Sequence, residues 1–174
     1  FDSKAPTFRH KKFKEYKIQR KPMPDGLIAQ MPVIKEIISA YNIPIFEKEG
    51  FEADDILATL AKEVSKKGIE VYIVTGDKDA LQVVDKSIKV YNLHKEGLIY
   101  DEERVRQRYS GLGPSSMVDL MSLAGDATDN IPGVRGIGEK TAIELIKEFQ
   151  NIENLYRNIE KIKFAICADI ENII

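Results

Sequence analysis

The sequence predicts an α/β fold, in which helices alternate with the strands of one sheet. Two apolar runs, EVYIV at 70–74 and IKVYNL at 88–93, are rich in the β-branched and aromatic residues that favour strands. Segments with helical spacing lie before and after these runs. The chain has 174 residues, of which 43% are hydrophobic, so it is long enough to bury a core. We expect one domain, or one domain with a small appendage.

The first part of the chain is a basic segment followed by a predicted helix. Residues 3–24 mix Lys and Arg with aromatic residues at irregular spacing, which indicates a mobile or arched segment. From Leu27 to Tyr41 the apolar residues recur with helical spacing, and Asn42 and Pro44 end the pattern. The run IPIFE at 43–47 is predicted to form a short strand.

A second helix is predicted to begin at or just after Asp54, with three acids at its start. Its apolar residues recur at the spacing of one buried face, and Gly68 ends it; they are Ile56, Leu57, Leu60, Ala61 and Val64. One explanation for Glu52, Asp54 and Asp55 is structural, because acids in a first helical turn interact favourably with the helix dipole. The alternative is a shared cation, since three carboxylates within four residues repel one another.

More acids lie where strands of the predicted sheet end. Asp77 and Asp79 follow the first strand run, whose apolar character suits a buried parallel strand. Ligands of open α/β sheets bind outside the carboxyl ends of strands, so these acids lie at the edge where a site is expected. Asp2 precedes a turn-like Ser-Lys-Ala-Pro and is predicted to end a strand as well. Ordinary turn residues are the alternative explanation for Asp77 and Asp79.

The segment at 123–149, LAGDATDNIPGVRGIGEKTAIELIKEF, combines two acids and several glycines with a helix pattern. Glycine permits close approach of the backbone, and amides at a helix N-terminus bind phosphate without reading bases. The residues concerned are Asp126, Asp129, Gly133, Gly136, Gly138, Lys140 and Thr141, and the helix pattern contains Ala142, Ile143, Leu145, Ile146 and Phe149. The alternatives are a turn and a cap for the two acids, and a packing turn for the glycines. The spacing is not that of a Walker loop, which disfavours nucleotide hydrolysis.

The acids together indicate a site for hard cations. Mg²⁺ and Mn²⁺ prefer carboxylate and water oxygens, and two ions about 4 Å apart can stabilise phosphodiester hydrolysis. The lone Cys167 excludes an internal disulfide, and with only His10 and His94 beside it a zinc site is disfavoured. The four clusters are Asp2; Glu52, Asp54 and Asp55; Asp77 and Asp79; and Asp126 and Asp129.

The charge is unevenly distributed along the chain. Residues 1–24 carry eight Lys and Arg against two acids, or +6, while the whole chain has a net charge of −2, which leaves −8 for the remainder. This asymmetry indicates a basic arm beside an acidic body. No apolar run approaches the roughly 20 residues of a membrane span, so we expect no membrane association and a cytoplasmic location.

Five stretches carry a family resemblance: FDSKAPTFRH, YKIQRKPMP, GFEADDILATLA, TGDKDALQVV and LAGDATDNIPGVRGIGEKTAIELI. In this order they resemble the 5′-nuclease domain of bacterial DNA polymerase I and the related flap endonucleases, to about Leu155 and more weakly beyond. The resemblance implies a PIN-like, mostly parallel central sheet flanked by helices, with a C-terminal helix–three-turn–helix element. It also implies a nuclease core at 1–130 with a basic arch at about 3–26, and a helical DNA-binding region at 131–174.

The function implied by this resemblance is that of a metal-dependent 5′-to-3′ exonuclease and flap endonuclease in DNA replication and repair. Its expected substrates are DNA flaps, nicks and 5′ ends in the bacterial nucleoid, and its expected partner is a polymerase domain in the same parent protein. The eight acids then resemble ligands of two Mg²⁺ or Mn²⁺ ions, and residues 131–150 resemble a duplex-binding element with a potassium ion. Lys17 and Arg20 resemble arch residues that steer the scissile phosphate. The expected DNA-binding residues are Arg9, Lys11, Lys12, Lys14, Gly133, Gly136, Gly138, Lys140 and Thr141.

One departure from the family pattern bears on activity. Family members begin with a strand that ends in a further metal-binding Asp, whereas this sequence begins on the next strand. We therefore expect the chain as given to be weakly active or inactive, and less stable than an extended chain. The alternatives are a non-catalytic fragment that still binds duplex or flap DNA, and an RNA-cleaving relative.

Overall fold

The structure is a computed structural model that describes residues 1–95 and 97–162. Cys167 and the last part of the predicted 131–174 region lie outside the described residues. The chain divides into two compact units. The first contains Phe1–Leu57 and Thr128–Asn130, and the second contains Ala58–Ala127 and the described residues from Ile131 onward. The predicted boundary at residue 130 stays a prediction.

The first unit is helical. Helix α1 spans Phe8–Lys12 within the predicted arch, and Thr7 caps it with backbone and side-chain contacts to His10. Helix α2 spans Asp25–Ala40 and confirms the helix predicted after the basic segment. It ends where Asn42 adopts a left-handed backbone conformation, with φ of 57°.

The strand predicted at 43–47 is wrong, because the described residues form no strand there. A strand is stable only when its backbone groups pair with a neighbouring strand. Here the Phe46 carbonyl accepts a hydrogen bond from the N-terminal amine of Phe1, at 2.8 Å, rather than joining a ladder. The run at 43–47 has the composition of a strand, but it pairs with no strand among the described residues.

Helix α3 spans Ala53–Ser65 and confirms the helix predicted after the acidic stretch. Its apolar face is only partly covered, because Ala61 is buried whereas Leu57 is exposed. Gly68 follows the helix with φ of +76°, which fits its predicted role as a stop.

The second unit contains a three-stranded sheet in the order β1-β2-β3. Strand β1 (Val71–Val74) pairs in parallel with β2 (Ile88–Asn92), and β2 pairs antiparallel with β3 (Leu98–Tyr100). The sheet confirms the α/β class and the first two strands. The short third strand was not predicted. Full burial of β1 is wrong, because this edge strand buries Ile73 but exposes Tyr72 and Val74.

Helices surround the core of the second unit. They are α4 (Glu102–Arg108), α5 (Met117–Ala124), α6 (Glu139–Phe149) and α7 (Ile152–Arg157), and short 3₁₀ turns occur at Lys78–Val83, Leu93–Lys95, Pro114–Ser116 and Ile159–Lys161. Helix α6 confirms the helix predicted after the glycines. The fully buried side chains include Ile88 and Val90 from the sheet, Val105 from α4, and Ile146 and Leu155 from α6 and α7. Within the described residues no helix combines the length and apolar character needed to cross a bilayer.

Candidate metal and DNA site

Asp55 is both a helix cap and an ion-pair partner. It lies in the first turn of α3, and its Oδ2 accepts a hydrogen bond from the Glu52 backbone N–H at 3.0 Å. Arg9 from α1 donates to both of its carboxylate oxygens, at 2.7 and 2.8 Å. The Arg9 hydrogen bond holds the pKa of Asp55 below its ordinary value, and the pKa of Arg9 is raised in turn. Arg9, predicted to bind DNA, is therefore engaged with an acid in this structure.

One buried and three half-buried side chains form what we call the Lys17 cluster: Tyr16 is buried, and Lys17, Glu52 and Asp129 are half-buried. The Lys17 ammonium lies 3.0 Å from Glu52 Oε2 and 3.5 Å from Asp129 Oδ2. The Tyr16 hydroxyl lies 3.0 Å from each of the same two oxygens. The side chains of Lys17, Glu52 and Asp129 are only 14%, 12% and 23% exposed. Two predicted metal-binding acids, distant in sequence, thus converge on one positively charged atom.

The charges of the cluster shift its pKa values. Burial alone lowers the pKa of Lys17, but its hydrogen bonds to Tyr16 and Glu52 outweigh this, so the pKa is raised above the ordinary lysine value. Burial also raises the pKa of the Tyr16 hydroxyl. At neutral pH the cluster therefore contains an ammonium ion and a neutral phenol.

The backbone holds the Lys17 cluster in a specific conformation. Lys17 adopts a left-handed φ of 55°, and its N–H donates to the Asp129 carbonyl at 3.0 Å. The Asn130 side-chain amide donates to the Glu15 carbonyl at 2.8 Å. The ring of Tyr16 meets that of His10 edge to face, with 5.2 Å between the ring centroids. These contacts fix one end of the basic segment beside two acids.

Asp2 and Asp54 also lie at the start of α3. Asp2 Oδ1 accepts a hydrogen bond from the Ala53 N–H at 2.7 Å. Asp54 lies in the first turn of the helix and is exposed. The structural explanation offered for the acids of this stretch therefore fits Asp55, whose carboxylate bonds the Glu52 N–H. The strand end predicted at Asp2 is wrong, because Asp2 lies in no described strand and its carboxylate bonds the Ala53 N–H instead.

The second unit carries the other three predicted acids. Asp77 follows β1 and caps the 3₁₀ turn Lys78–Val83, where its Oδ1 accepts from the Asp79 N–H at 2.9 Å. Asp126 exchanges two backbone hydrogen bonds with Ile131, each of 2.8 Å, and its carboxylate lies 2.9 Å from the Lys78 ammonium. Burial lowers the pKa of Lys78, but the contact with Asp126 outweighs it and the pKa is raised.

The eight predicted metal-binding residues suit a cation that prefers oxygen ligands, because all of them are carboxylates. Within residues 1–95 and 97–162, however, no three His, Cys, Asp or Glu side chains are close enough together to hold a metal ion. Ammonium and guanidinium groups instead meet four of the acids: Arg9 meets Asp55, Lys17 meets Glu52 and Asp129, and Lys78 meets Asp126.

The glycine segment contains two different kinds of glycine. Gly133 has φ of +61°, and a Cβ placed there would lie 2.6 Å from the Ala124 carbonyl carbon, so this position serves packing. Gly138 precedes α6 in an extended conformation, is exposed, and has no atom within 4 Å of such a Cβ. Open space at a helix N-terminus leaves amides accessible to an anion. Gly136 and Lys140 are exposed as well, whereas Thr141 is partly buried.

The remaining basic residues of the arch face solvent. They are Lys4, Lys11, Lys12, Lys14, Arg20 and Lys21, all of which are exposed. Tyr16 and Lys78 are site residues that sequence reasoning missed. The adjacency of Tyr16 to Lys17 in the Tyr-Lys-x-x-Arg pattern was the available signal for Tyr16, and no comparable signal existed for Lys78.

Comparison with known families decides the relationship. The family described as 5′-3′ exonuclease, N-terminal resolvase-like domain, matches residues 1–110, and the one described as 5′-3′ exonuclease, C-terminal SAM fold, matches residues 112–172. The chain belongs to the 5′-3′ exonuclease family. The resemblance inferred from the five sequence stretches is thereby confirmed.

Curated relatives of this 5′-3′ exonuclease family member are longer proteins. It is 42% identical to DNA polymerase I of Caldicellulosiruptor bescii, over 98% of this chain and 21% of that protein. It is 45% identical to the thermostable DNA polymerase I of Thermus thermophilus, over 94% of this chain and 19% of that protein. It is 44% identical to a 5′-3′ exonuclease of Buchnera aphidicola, over 99% of this chain and 60% of that protein. The chain thus spans about a fifth of the polymerases.

Solved structures with the same fold include two of bacteriophage T5. One is a T5 flap endonuclease with DNA and metal ions, with a TM-score of 0.79 and 21% identity over 98% of this chain and 66% of that one. The other is the T5 5′-exonuclease with zinc, with a TM-score of 0.79 and 22% identity over 98% of this chain and 67% of that one. The catalytic core of Rad2 in complex with DNA has a TM-score of 0.61 and 22% identity, over 100% of this chain and 57% of that one. At these identities the likeness shows the fold alone.

Proposed function

We propose that this chain is the nuclease part of a divalent-metal-dependent 5′-to-3′ exonuclease and flap endonuclease that cleaves DNA. The observation that carries the proposal is the convergence of Glu52 and Asp129 on the positively charged Lys17 ammonium, beside the basic residues of the arch. Clustered carboxylates can hold the metal ions that hydrolyse a phosphodiester, and exposed Lys and Arg nearby can bind the phosphates of a nucleic acid. The named activities of the exonuclease and flap endonuclease relatives support the same reaction.

Mg²⁺ or Mn²⁺ is the proposed cofactor, with two ions as the working hypothesis. Bound ions would polarise the phosphodiester and lower the pKa of an attacking water. In the first unit the proposed ligands are Asp2, Glu52, Asp54, Asp55 and Asp129, and in the second they are Asp77, Asp79 and Asp126. Carboxylates without His or Cys partners select hard cations. The bacteriophage T5 structures contain metal ions, one of them zinc, which supports a divalent cofactor but not the choice of ion.

Arch residues are proposed to bind and orient the phosphates. Lys17 and Arg20 would position the scissile phosphate, and the exposed Lys11, Lys12 and Lys14 would hold neighbouring ones. Such contacts give affinity without sequence preference. DNA with a 5′ flap, a nick or a free 5′ end is the proposed substrate. The DNA polymerase I relatives support the further proposal that the chain works at the bacterial nucleoid, in the same polypeptide as a polymerase.

The region from 131 to 174 is proposed to hold the duplex backbone, separately from a core at 1–130. Gly136, Gly138 and Lys140 are exposed at the start of α6, where backbone amides and one ammonium suit phosphate oxygens. Arg9 and Thr141 would assist, and a potassium ion at the turn is part of the proposal. Gly133 is proposed to shape this turn from within.

A second candidate function is DNA binding without catalysis. The observation that favours it is that described acids are paired with Arg9, Lys17 and Lys78, while no described group of three acids is close enough to hold a metal ion. A protein of this kind would bind flaps and leave them intact. Cleavage therefore separates the two candidates.

The test is cleavage of a 5′-labelled DNA flap under single-turnover conditions, with DNA binding measured in parallel. With Mg²⁺ we expect the unsubstituted chain to form product slowly, and Asp77→Ala to reduce the cleavage rate far more than the affinity. Glu36→Gln is the matched control, because Glu36 is an exposed acid of α2 outside the arch and the proposed site. Equal rates for the unsubstituted chain and Asp77→Ala would reject the metal assignment. Binding without any product in either metal ion would favour the second candidate.

A further inference from the structure

Lys17 occupies the position where a cation would neutralise Glu52 and Asp129. Its ammonium lies within 3.5 Å of one oxygen from each carboxylate, and those two oxygens also receive the Tyr16 hydroxyl. The ammonium therefore engages one oxygen of each of two carboxylates that are proposed metal ligands. The arch supplies this cation as one of its own side chains.

The arrangement is built rather than incidental. Surface lysines adopt many rotamers, but the Lys17 side chain is only 14% exposed and Tyr16 is 5% exposed. The left-handed φ of Lys17 is a conformation that residues other than glycine rarely adopt, and the surrounding contacts must maintain it. Its N–H bond to the Asp129 carbonyl ties the same residue to the same acid a second time.

The ammonium and a divalent ion cannot share these oxygens. A Mg²⁺ ion binds carboxylate oxygens at about 2.1 Å, and an ammonium held 3.0 Å from Glu52 Oε2 would then face it at close range with the same sign of charge. Binding of one cation therefore requires departure of the other. The metal-free and metal-bound states would therefore differ in the position of the Lys17 side chain and of the segment that carries it.

We propose that Lys17 is an intramolecular counter-ion that competes with the divalent metal for Glu52 and Asp129, and that metal binding releases it to meet a DNA phosphate. The proposal rests on the metal dependence proposed above. In the metal-free state the ammonium prevents repulsion between two half-buried carboxylates. In the metal-bound state the freed ammonium adds a positive charge to the arch, so metal binding strengthens DNA binding, and DNA binding strengthens metal binding by the same factor.

Substitution of Lys17 by Met tests the competition, because Met keeps the apolar stem and removes the charge. Mn²⁺ affinity, measured by calorimetry and by the electron paramagnetic resonance of free Mn²⁺, should rise by about tenfold in Lys17→Met. Lys35→Met is the matched control: it removes the same charge from the first unit, and Lys35 pairs with Glu47, which is not a proposed ligand. Its Mn²⁺ affinity should equal that of the unsubstituted chain.

A second variant keeps the test valid if Lys17→Met is unstable, since it leaves two half-buried carboxylates without their ammonium. The double variant Lys17→Met/Glu52→Gln removes one of these charges, so it should melt at a higher temperature than Lys17→Met. It should also lose the gained Mn²⁺ affinity, which assigns the gain to Glu52. Mn²⁺ should raise the melting temperature of Lys17→Met by more than that of the unsubstituted chain.

Release of the ammonium is measured directly by lysine acetylation and mass spectrometry. We expect acetylation of Lys17 in the unsubstituted chain to rise several-fold when Mg²⁺ is added, and that of Lys35 to stay constant. Equal Mn²⁺ affinities of the unsubstituted chain and Lys17→Met, or acetylation of Lys17 that ignores Mg²⁺, would overturn the competition while the metal dependence stands. Absence of Mn²⁺ binding in every variant would overturn both.

Discussion

Substitution of Gly133 by Ala tests how the glycine segment is packed. The Cβ of an alanine would lie 2.6 Å from the Ala124 carbonyl carbon and 2.7 Å from the Gly125 Cα, well inside the usual separation of about 3.5 Å. These are backbone atoms, so no rotamer change relieves the clash. The φ of +61° adds about 1 kcal/mol of strain for an alanine.

The expected loss of stability follows from these values. Overpacking costs about 1–3 kcal/mol and the left-handed backbone about 1 kcal/mol, while the restricted unfolded chain returns about 0.5–1 kcal/mol. The net loss in the free energy of unfolding is thus about 1–3.5 kcal/mol, and the melting temperature should fall by about 2–14 °C. Scanning calorimetry with DNA binding in parallel is the assay.

Gly138→Ala is the matched control for Gly133→Ala. Gly138 has φ of −90° and no atom within 4 Å of an added Cβ, so its stability should change by less than about 0.5 kcal/mol. DNA affinity should fall in Gly138→Ala, because the methyl group stands where a phosphate would approach the exposed amides. Equal melting temperatures of Gly133→Ala and the unsubstituted chain would refute the packing argument, as would equal destabilisation by both substitutions.

Two further predictions concern charge. Neutralising Lys17 and Arg20 should flatten the dependence of log DNA affinity on log salt by about one unit for each phosphate that the variant no longer binds. Fluorescence anisotropy measures the slope, and an unchanged slope would show that neither residue contacts a phosphate. Burial alone raises the pKa of Asp85, but hydrogen bonds from the Ser87 and Ile88 N–H groups and from Lys62 outweigh it, so the pKa lies below 3.8. This stabilisation is present above pH 3.8 and is lost as the pH falls through the lowered pKa. Asp85→Asn should therefore destabilise by about 0.5 kcal/mol at pH 7, allowing for solvent screening, and by nothing in strong acid; a pH-independent difference in urea denaturation would contradict this.

Elements with a strong period could be predicted from the sequence. Helices α2, α3 and α6 have apolar residues at helical spacing, with stop signals after the first two, and strands β1 and β2 are β-branched runs. The run at 43–47 has the same composition but forms no strand, because pairing depends on a neighbour that local sequence does not specify. The short β3 was missed because three residues carry too little pattern.

The site could be predicted as residue types but not as contacts. The acids and the basic arch are visible in the sequence, whereas the pairing of Lys17 with Glu52 and Asp129 depends on a tertiary fold that brings distant residues together. The same limit applies to the glycines. Gly133 and Gly138 look equivalent in sequence, and only their backbone conformations and neighbours separate packing from open space.

The most direct test of the central proposal is a metal titration of DNA flap cleavage by the unsubstituted chain. A 5′-labelled flap is incubated with excess protein, first in chelator, then with increasing Mg²⁺ or Mn²⁺, and finally with chelator restored. We predict no product in chelator, slow product formation that saturates with the metal ion, and an immediate stop when chelator returns. Product that forms at the same rate in excess chelator would contradict metal-dependent hydrolysis by these carboxylates.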